Sequence, residues 1–296
     1  MADPRPRCAV VTGGASGIGR AITEILARRG DRVLVADIDE GAAADLAAEL
    51  GEGASFMRCD VSDHAAVEAL ADRAFELFGQ VDLVFANAGT IINGPLIAAT
   101  PQELDWIFGV NVRGAWSTMS AFARRMLASG QEGRICVTAS EHSLGLQHTG
   151  AGLYTATKHA VMGLADVMRE ELAPLIGITV FCPGLVATNL AHAPRPANLR
   201  QPSERAVAFG AAVQSRGMPS EEAARAAVEG TGRGERLIVT HAESWPAARR
   251  RAEMVEAAFA AQAPWSEGLD RYDVNRVVKE VRESEEQAKD AAPKAP

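Results

Sequence analysis

Aromatic residues are scarce, 5% of the 296-residue chain, and only two of them are tyrosines. A surplus of positive charge is also missing. The chain has 30 Lys and Arg against 38 Asp and Glu, a net charge of −8, the wrong sign for gripping nucleic-acid phosphates or an anionic membrane. No apolar stretch reaches the ~18 residues of a membrane span, and the run before Thr12-Gly13-Gly14 is too short for a signal-peptide core. The four cysteines, Cys8, Cys59, Cys136 and Cys182, form no CxxC pair and sit in apolar, strand-like sequence. That excludes a thioredoxin-like or zinc-ribbon pattern and predicts small buried thiols in a reducing compartment. The six histidines show no HxH or HExxH spacing, so no metal site is expected. These absences point to a cytoplasmic protein without membrane or nucleic-acid partners.

What is present is core-forming sequence, with 47% hydrophobic and 23% charged residues, the globular average. Short apolar runs at 8–11, 32–36, 55–58, 81–86, 133–137, 178–181 and 236–239 alternate with amphipathic stretches. Ile18, Ile22, Ile25 and Leu26 share one helical face, as do Val67, Leu70, Ala74 and Leu77, and Val161, Leu164, Val167 and Met168. Strand runs with little alternation are buried on both faces, so the pattern predicts an α/β fold, a doubly wound parallel sheet of about seven strands with helices on both faces. Two segments break the rhythm. Residues 188–220 carry four prolines and four arginines around one short helix near 204–213, and are expected to be a substrate lid within a single catalytic domain, 1–263. Residues 264–296 read as a charged extension, helical over 270–286 and then disordered, with a narrow stripe of Val274, Val277, Val278 and Val281.

The first strand runs into Thr12-Gly13-Gly14-Ala15-Ser16-Gly17-Ile18-Gly19 and then a helix. Bare backbone N–H groups at a helix N-terminus attract an anion, and glycines let a pyrophosphate approach. The second strand ends in Asp37, 18 residues after Gly19, where a carboxylate can accept hydrogen bonds from ribose hydroxyls. The spacing Gly13-x3-Gly17-x-Gly19 resembles the TGxxxGxG fingerprint of the classical short-chain dehydrogenase/reductase family. The resemblance recurs down the chain in Asp60-Val61, Asn87-Ala88-Gly89, Asn111, Ser140, Tyr154-Thr155-Ala156-Thr157-Lys158 and Pro183-Gly184-Leu185-Val186-Ala187-Thr188. It implies a Rossmann-type fold and a small-molecule oxidoreductase that is a homodimer or homotetramer. It further implies a dinucleotide held by Gly13, Ser16, Gly17, Ile18, Gly19, Asp37, Asp60, Val61, Asn87, Ala88, Gly89, Tyr154, Lys158, Pro183, Gly184, Val186 and Thr188. The implied catalytic set is Asn111, Ser140, Tyr154 and Lys158.

Hydride transfer from an alcohol carbon requires a proton to leave the substrate oxygen, and Tyr154 is the candidate acid/base. Lys158 at i+4 lies on the same helical face and favours the phenolate. Ser140 is placed to hold the substrate oxygen, and Asn111, as in the family, to link Lys158 to solvent through water. Ser140 lies 14 residues before Tyr154, one more than the family usually has, so Ser143 is a rival. His142 and His148 read as exposed loop residues near substrate, and Glu141 as orienting a polar substrate group or facing solvent. Asp37 with no basic residue in Ile38-Asp39-Glu40 predicts NAD over NADP. The expected substrate is a bulky hydrophobic or aromatic secondary alcohol or ketone, by weaker resemblance to bacterial members acting on aromatic and terpenoid alcohols. Alternatives are a carboxylated substrate paired with a lid arginine, a nucleotide-sugar enzyme of the same fold, or a catalytically silent NAD-binding regulator.

Overall fold

Each of the seven short apolar runs forms a strand. The computed structural model describes residues 5–145, 148–190, 193, 195–266 and 268–291. The chain runs β1 (Cys8–Thr12), α1 (Gly17–Arg28), β2 (Arg32–Asp37), α2 (Glu40–Leu50), β3 (Ala54–Arg58), α3 (His64–Phe78) and β4 (Leu83–Ala86). It continues through α4 (Pro101–Phe108), α5 (Gly114–Ala128), β5 (Gly133–Thr138), α6 (Gly152–Leu172), β6 (Ile176–Cys182), the two-residue β7 (Val186–Ala187) and α7 (Glu204–Gln214). Then come β8 (Met218–Pro219), α8 (Ser220–Arg233), β9 (Leu237–Val239), α9 (Trp245–Gln262) and α10 (Val274–Ala291). The main sheet has the order β3-β2-β1-β4-β5-β6-β9 with every pair parallel.

Both faces of this sheet are covered, which is why the central strands are apolar without alternation. On one face Val67 and Leu70 of α3, Phe122 and Met126 of α5 and Val161 of α6 pack on Val10, Val84, Ile135 and Val180. On the other, Ile22, Ile25 and Leu26 of α1 meet Ala224, Ala227 and Val228 of α8 over Val11, Phe85 and Phe181. Each large side chain buried this way contributes about 1.5–3 kcal/mol. The four cysteines lie buried as free thiols.

The order reverses between β1 and β4, and the crevice outside the carboxyl ends of strands at such a switch point is where α/β sheets bind ligands. The glycine-rich turn leaves β1 there and Asn87 leaves β4 there. A second feature shapes the crevice. Between α4 and α5 the helix widens into a π-helical turn, Gly109–Arg113, which contains Asn111. Such turns are rare and occur mostly at functional sites.

The contacts divide the chain into Met1–Ala248 and Arg249–Pro296, earlier in the sequence than residue 264. Within the second unit α10 carries Val274, Val277, Val278 and Val281 on one face, all exposed. Within the first, the 188–220 excursion holds α7 between β7 and β8, which pair in parallel and join the ends of the excursion. Leu199 is buried whereas Phe209 and Val213 are exposed. His192 and Pro194, both singled out in the sequence, lie outside the described residues.

Candidate active site

The glycine-rich turn is shaped by what its glycines omit. Gly13 and Gly17 both take positive φ, 61° and 52°, which L side chains resist. A Cβ on Gly13 would stand 2.9 Å from the Ala88 Cα, and one on Gly19 would overlap the Gly13 carbonyl oxygen. A Cβ on Gly17 would stand 3.2 Å from the Thr188 side chain, so the start of the 188–220 excursion reaches the turn. Ser16 occupies the cap position of α1 and Ile18 packs against the α1–α8 core. The Asp37 carboxylate accepts from the Ala15 N–H at 3.0 Å and the Asp39 N–H at 3.1 Å, which ties the end of β2 to the turn. The register sets Arg58 opposite Asp37.

The rim beyond the turn is held by short polar links. Thr12 Oγ1 accepts from the Asn87 and Ala88 N–H groups, and Asn87 Oδ1 accepts from the Thr138 hydroxyl at 3.2 Å. Asp60 Oδ1 accepts from the Ser62 backbone and hydroxyl, and Val61 is buried against Gly114. Pro183 O accepts from the Glu141 N–H at 2.9 Å. Val186 is buried in β7, and Thr188 Oγ1 accepts from the Gln214 side chain at 3.2 Å.

The expected tetrad lies along one side of this crevice. Tyr154 sits in the first turn of α6, 9% exposed, packed with Ile92, Ile107 and Leu153. Burial pushes its hydroxyl up to about 12, opposed by a hydrogen bond from Ser140. Lys158 is one turn on, its Nζ 5.5 Å from the Tyr154 ring centroid and donating to Thr138 O at 2.9 Å. Burial pulls Lys158 down to about 8. Asn111 is fully engaged: its amide donates to Thr90 O and Thr157 Oγ1 at 2.9 and 3.0 Å, and Oδ1 accepts from Thr90 N at 2.8 Å. A Cβ on Gly89 would stand 3.5 Å from Asn111 Oδ1 and 3.6 Å from Lys158 Nζ, so the bare glycine keeps the gap between them open.

Ser143, the rival to Ser140, donates its hydroxyl to Lys158 O at 2.8 Å and so serves the helix backbone. Two readings from sequence are corrected. His142 is buried, its Nδ1 2.7 Å from Thr155 Oγ1 and its ring edge-on to Tyr154, because the turn after β5 folds under α6. Glu141 is also nearly buried and does not face solvent. Two positioning residues were missed. His241, at the end of β9, accepts from Gly184 N at 3.0 Å and donates from Nε2 to Leu185 O at 2.9 Å, clamping the Pro183-Gly184 turn. Glu103 is buried, closes a capping box with Thr100, and pairs with Arg200 of the 188–220 excursion at 3.1 Å. The Thr100-x-x-Glu103 signature was readable as a cap; the pairing with Arg200 was not. Arg195 donates to Ile91 O, so Arg195 and Arg200 of the 188–220 excursion meet residues before and within α4.

A parallel sheet that reverses its order above a glycine-lined helix N-terminus defines the Rossmann-type nucleotide-binding class. The family is narrower. The short chain dehydrogenase family matches residues 7–198, and this chain belongs to that family of oxidoreductases. A short chain dehydrogenase/reductase from Burkholderia phymatum, solved in complex with NAD, is 34% identical with a TM-score of 0.81, covering 90% of this chain and 100% of that one. The C alpha-dehydrogenase of Sphingobium sp. is 32% identical over 254 residues, 82% of this chain and 83% of the relative. The 1-deoxy-11-beta-hydroxypentalenate dehydrogenase of Streptomyces avermitilis is 37% identical over 203 residues, 65% of this chain and 74% of the relative. Among the described residues no helix is long and apolar enough to cross a membrane.

Proposed function

We propose that the chain interconverts a bulky hydrophobic or aromatic secondary alcohol and its ketone with NAD(H), as a cytoplasmic homodimer or homotetramer. The observation that carries this reading is the convergence of Ser140, Tyr154, Lys158 and Asn111 beside the glycine-lined turn. The crevice fits a dinucleotide: two glycines in positive φ, a buried Thr90 hydroxyl after β4 with no hydrogen-bond partner among the described residues, and an Asp37 carboxylate at the end of β2 that would meet a ribose. The nicotinamide would supply the hydride acceptor or donor carbon. Tyr154 gives a proton to the ketone oxygen or takes one from the alcohol, Ser140 holds that oxygen, and Lys158 favours the phenolate. With Tyr154 held near 12, the protonated form dominates at neutral pH. Ketone reduction therefore starts from the resting state, and alcohol oxidation gains as pH rises.

Substrate and cofactor preference follow from the walls. Leu96 and Ile97 stand exposed beside the start of α6, where a Cβ on Gly152 would touch Leu96, and so offer apolar surface near Tyr154. Arg200 is already paired with Glu103, which favours an apolar substrate over a carboxylate. The Streptomyces avermitilis relative, named for a hydroxypentalenate, supports a hydroxyl-bearing carbon skeleton of some bulk. Val112, Trp116, Leu164, Val167 and Met168 line a shallow apolar groove between α5 and α6 that supports a second copy of the chain. A phosphate on the 2′-hydroxyl would meet the Asp37 carboxylate, a like-charge contact of a few kcal/mol at an effective dielectric of about 20. The test is kcat/KM with both cofactors over a panel of secondary alcohols. NAD should lead by about a hundredfold; equal values, as Arg58 would produce by receiving the phosphate, refute the assignment.

A further inference from the structure

Beside the tetrad, three donors unused by the chemistry above come together. Glu141 and His142 lie in the 3-10 turn after β5 (Glu141–Leu144), and His148 lies six residues further along the loop. Their ligand atoms all stand within 4.8 Å of one another. Spacing alone hid this group, because the ligands are gathered by a folded loop and not by one helix face or strand.

Each member is prepared in a way that a chance cluster is not. Glu141 is 9% exposed, yet among the described residues its carboxylate accepts no hydrogen bond. Its oxygens are not sealed from solvent, so an ion can reach them, and a partly desolvated carboxylate with no hydrogen-bond donor favours an opposite charge beside it. The His142 ring is fixed by the 2.7 Å contact of Nδ1 with Thr155 Oγ1, which leaves Nε2 as the ligand atom; an outer hydrogen bond of this kind orients metal-binding histidines. The His142 and His148 rings lie 5.0 Å apart, centroid to centroid. His148 is exposed, so its side chain can swing inward to close the group.

We propose that Glu141, His142 and His148 form a site for a divalent transition-metal ion of the Zn2+ type at the mouth of the alcohol site. Two imidazoles and one carboxylate are a three-ligand zinc set with an open fourth position. Mg2+ and Ca2+, which take oxygen donors, are disfavoured by two nitrogens in three. Zinc bonds of about 2.0–2.2 Å require donors closer than the present spacing, so binding draws the group together by about an ångström. His142 packs edge-on to Tyr154 at 5.2 Å between centroids, and Ser140 precedes Glu141. An ion here and an alcohol at Tyr154 therefore exclude one another, and Zn2+ acts as a reversible brake. The exclusion rests on the function proposed above; the site itself does not.

The test is titration of the full-length, chelator-stripped protein with Zn2+ alone, followed by calorimetry. One ion per chain is expected. His148→Ala, an exposed and structurally mild change, should weaken binding at least tenfold, as should Glu141→Gln, whereas His64→Ala on α3 should not. In the turnover assay Zn2+ should raise the apparent KM for alcohol, with recovery on adding EDTA, and the effect should vanish in His148→Ala. No stoichiometric binding, or binding indifferent to His148→Ala, overturns the site. Binding without competition overturns the brake. Zinc binding by a protein that turns over no alcohol would sink the functional reading and leave the site standing.

Discussion

Lys158→Met is a perturbation whose sign separates stability from function. Burial lowers the ammonium from 10.5 to about 8, and at 1.36 kcal/mol per unit the folded protein carries a penalty of about 3 kcal/mol below pH 8. The folded state binds fewer protons than the unfolded one between those two values, so stability rises with pH across that window. About 2 kcal/mol of the penalty is relieved between pH 7 and 9.5, before Tyr154 begins to titrate in the unfolded chain near 10. Methionine matches the stem of lysine and removes the charge. The loss is the hydrogen bond to Thr138 O, about 1–2 kcal/mol. Lys158→Met should therefore be more stable than wild type at pH 7 by about 1–2 kcal/mol, and the gain should disappear by pH 9.5, while turnover falls by at least a hundredfold. The assay is urea unfolding at pH 6, 7, 8, 9 and 9.5 in matched salt, with activity measured in parallel. A variant less stable than wild type at pH 7, with the same dependence on pH, would refute the argument that burial sets the Lys158 charge.

Tyr154→Phe removes only the transferable proton and should cost roughly 10²–10⁴ in kcat with cofactor affinity unchanged; half the wild-type rate would exclude Tyr154 as the acid/base. Arg200→Ala leaves the buried Glu103 carboxylate without its cation, so Tm should drop by about 2–4 °C and hydrogen exchange should speed up across 195–214. Protection in 188–220 that does not change when NAD and an alcohol are added would mean that the segment is a static insertion and not a lid. Burial holds Cys59, Cys136 and Cys182 near 12, so a thiol reagent at pH 8 should label them only after denaturant is added; rapid labelling of the native protein counts against the core as described.

The strands were legible because each is a short apolar run bounded by turn residues, and all seven appear within two residues of their expected ends. The short helix expected near 204–213 forms over Glu204–Gln214 for a similar reason: Ser203 caps it through the Ala206 N–H. The glycine turn was legible because its spacing reports backbone geometry directly. Tyr154 and Lys158 could be placed on one face because i and i+4 meet on any helix. What stayed hidden depends on partners remote in sequence. Nothing near His241 announces that its ring clamps Gly184, 57 residues earlier. Glu103 reads as a cap residue, and its second bond, to a residue 97 positions later, has no local signature. His142 looked exposed because the loop around it is polar, and only the packing of that loop under α6 buries it.

The widened turn at Gly109–Arg113 has a consequence for how this crevice can change. A π turn takes about one more residue than the α turn it replaces, and on a regular helix one residue amounts to about 100° of rotation. If the turn closed to ordinary spacing with all its residues kept, everything on one side of it would rotate by that angle relative to the other. Either Glu103 and Ile107 of α4 would leave Arg200 and the apolar wall, or Phe122 and Met126 of α5 would leave the core. Removing one residue as the turn closes cancels the rotation and leaves both helices facing as they do now. The width of the turn is therefore what lets this helix carry the extra residue without turning one of its two packed faces away.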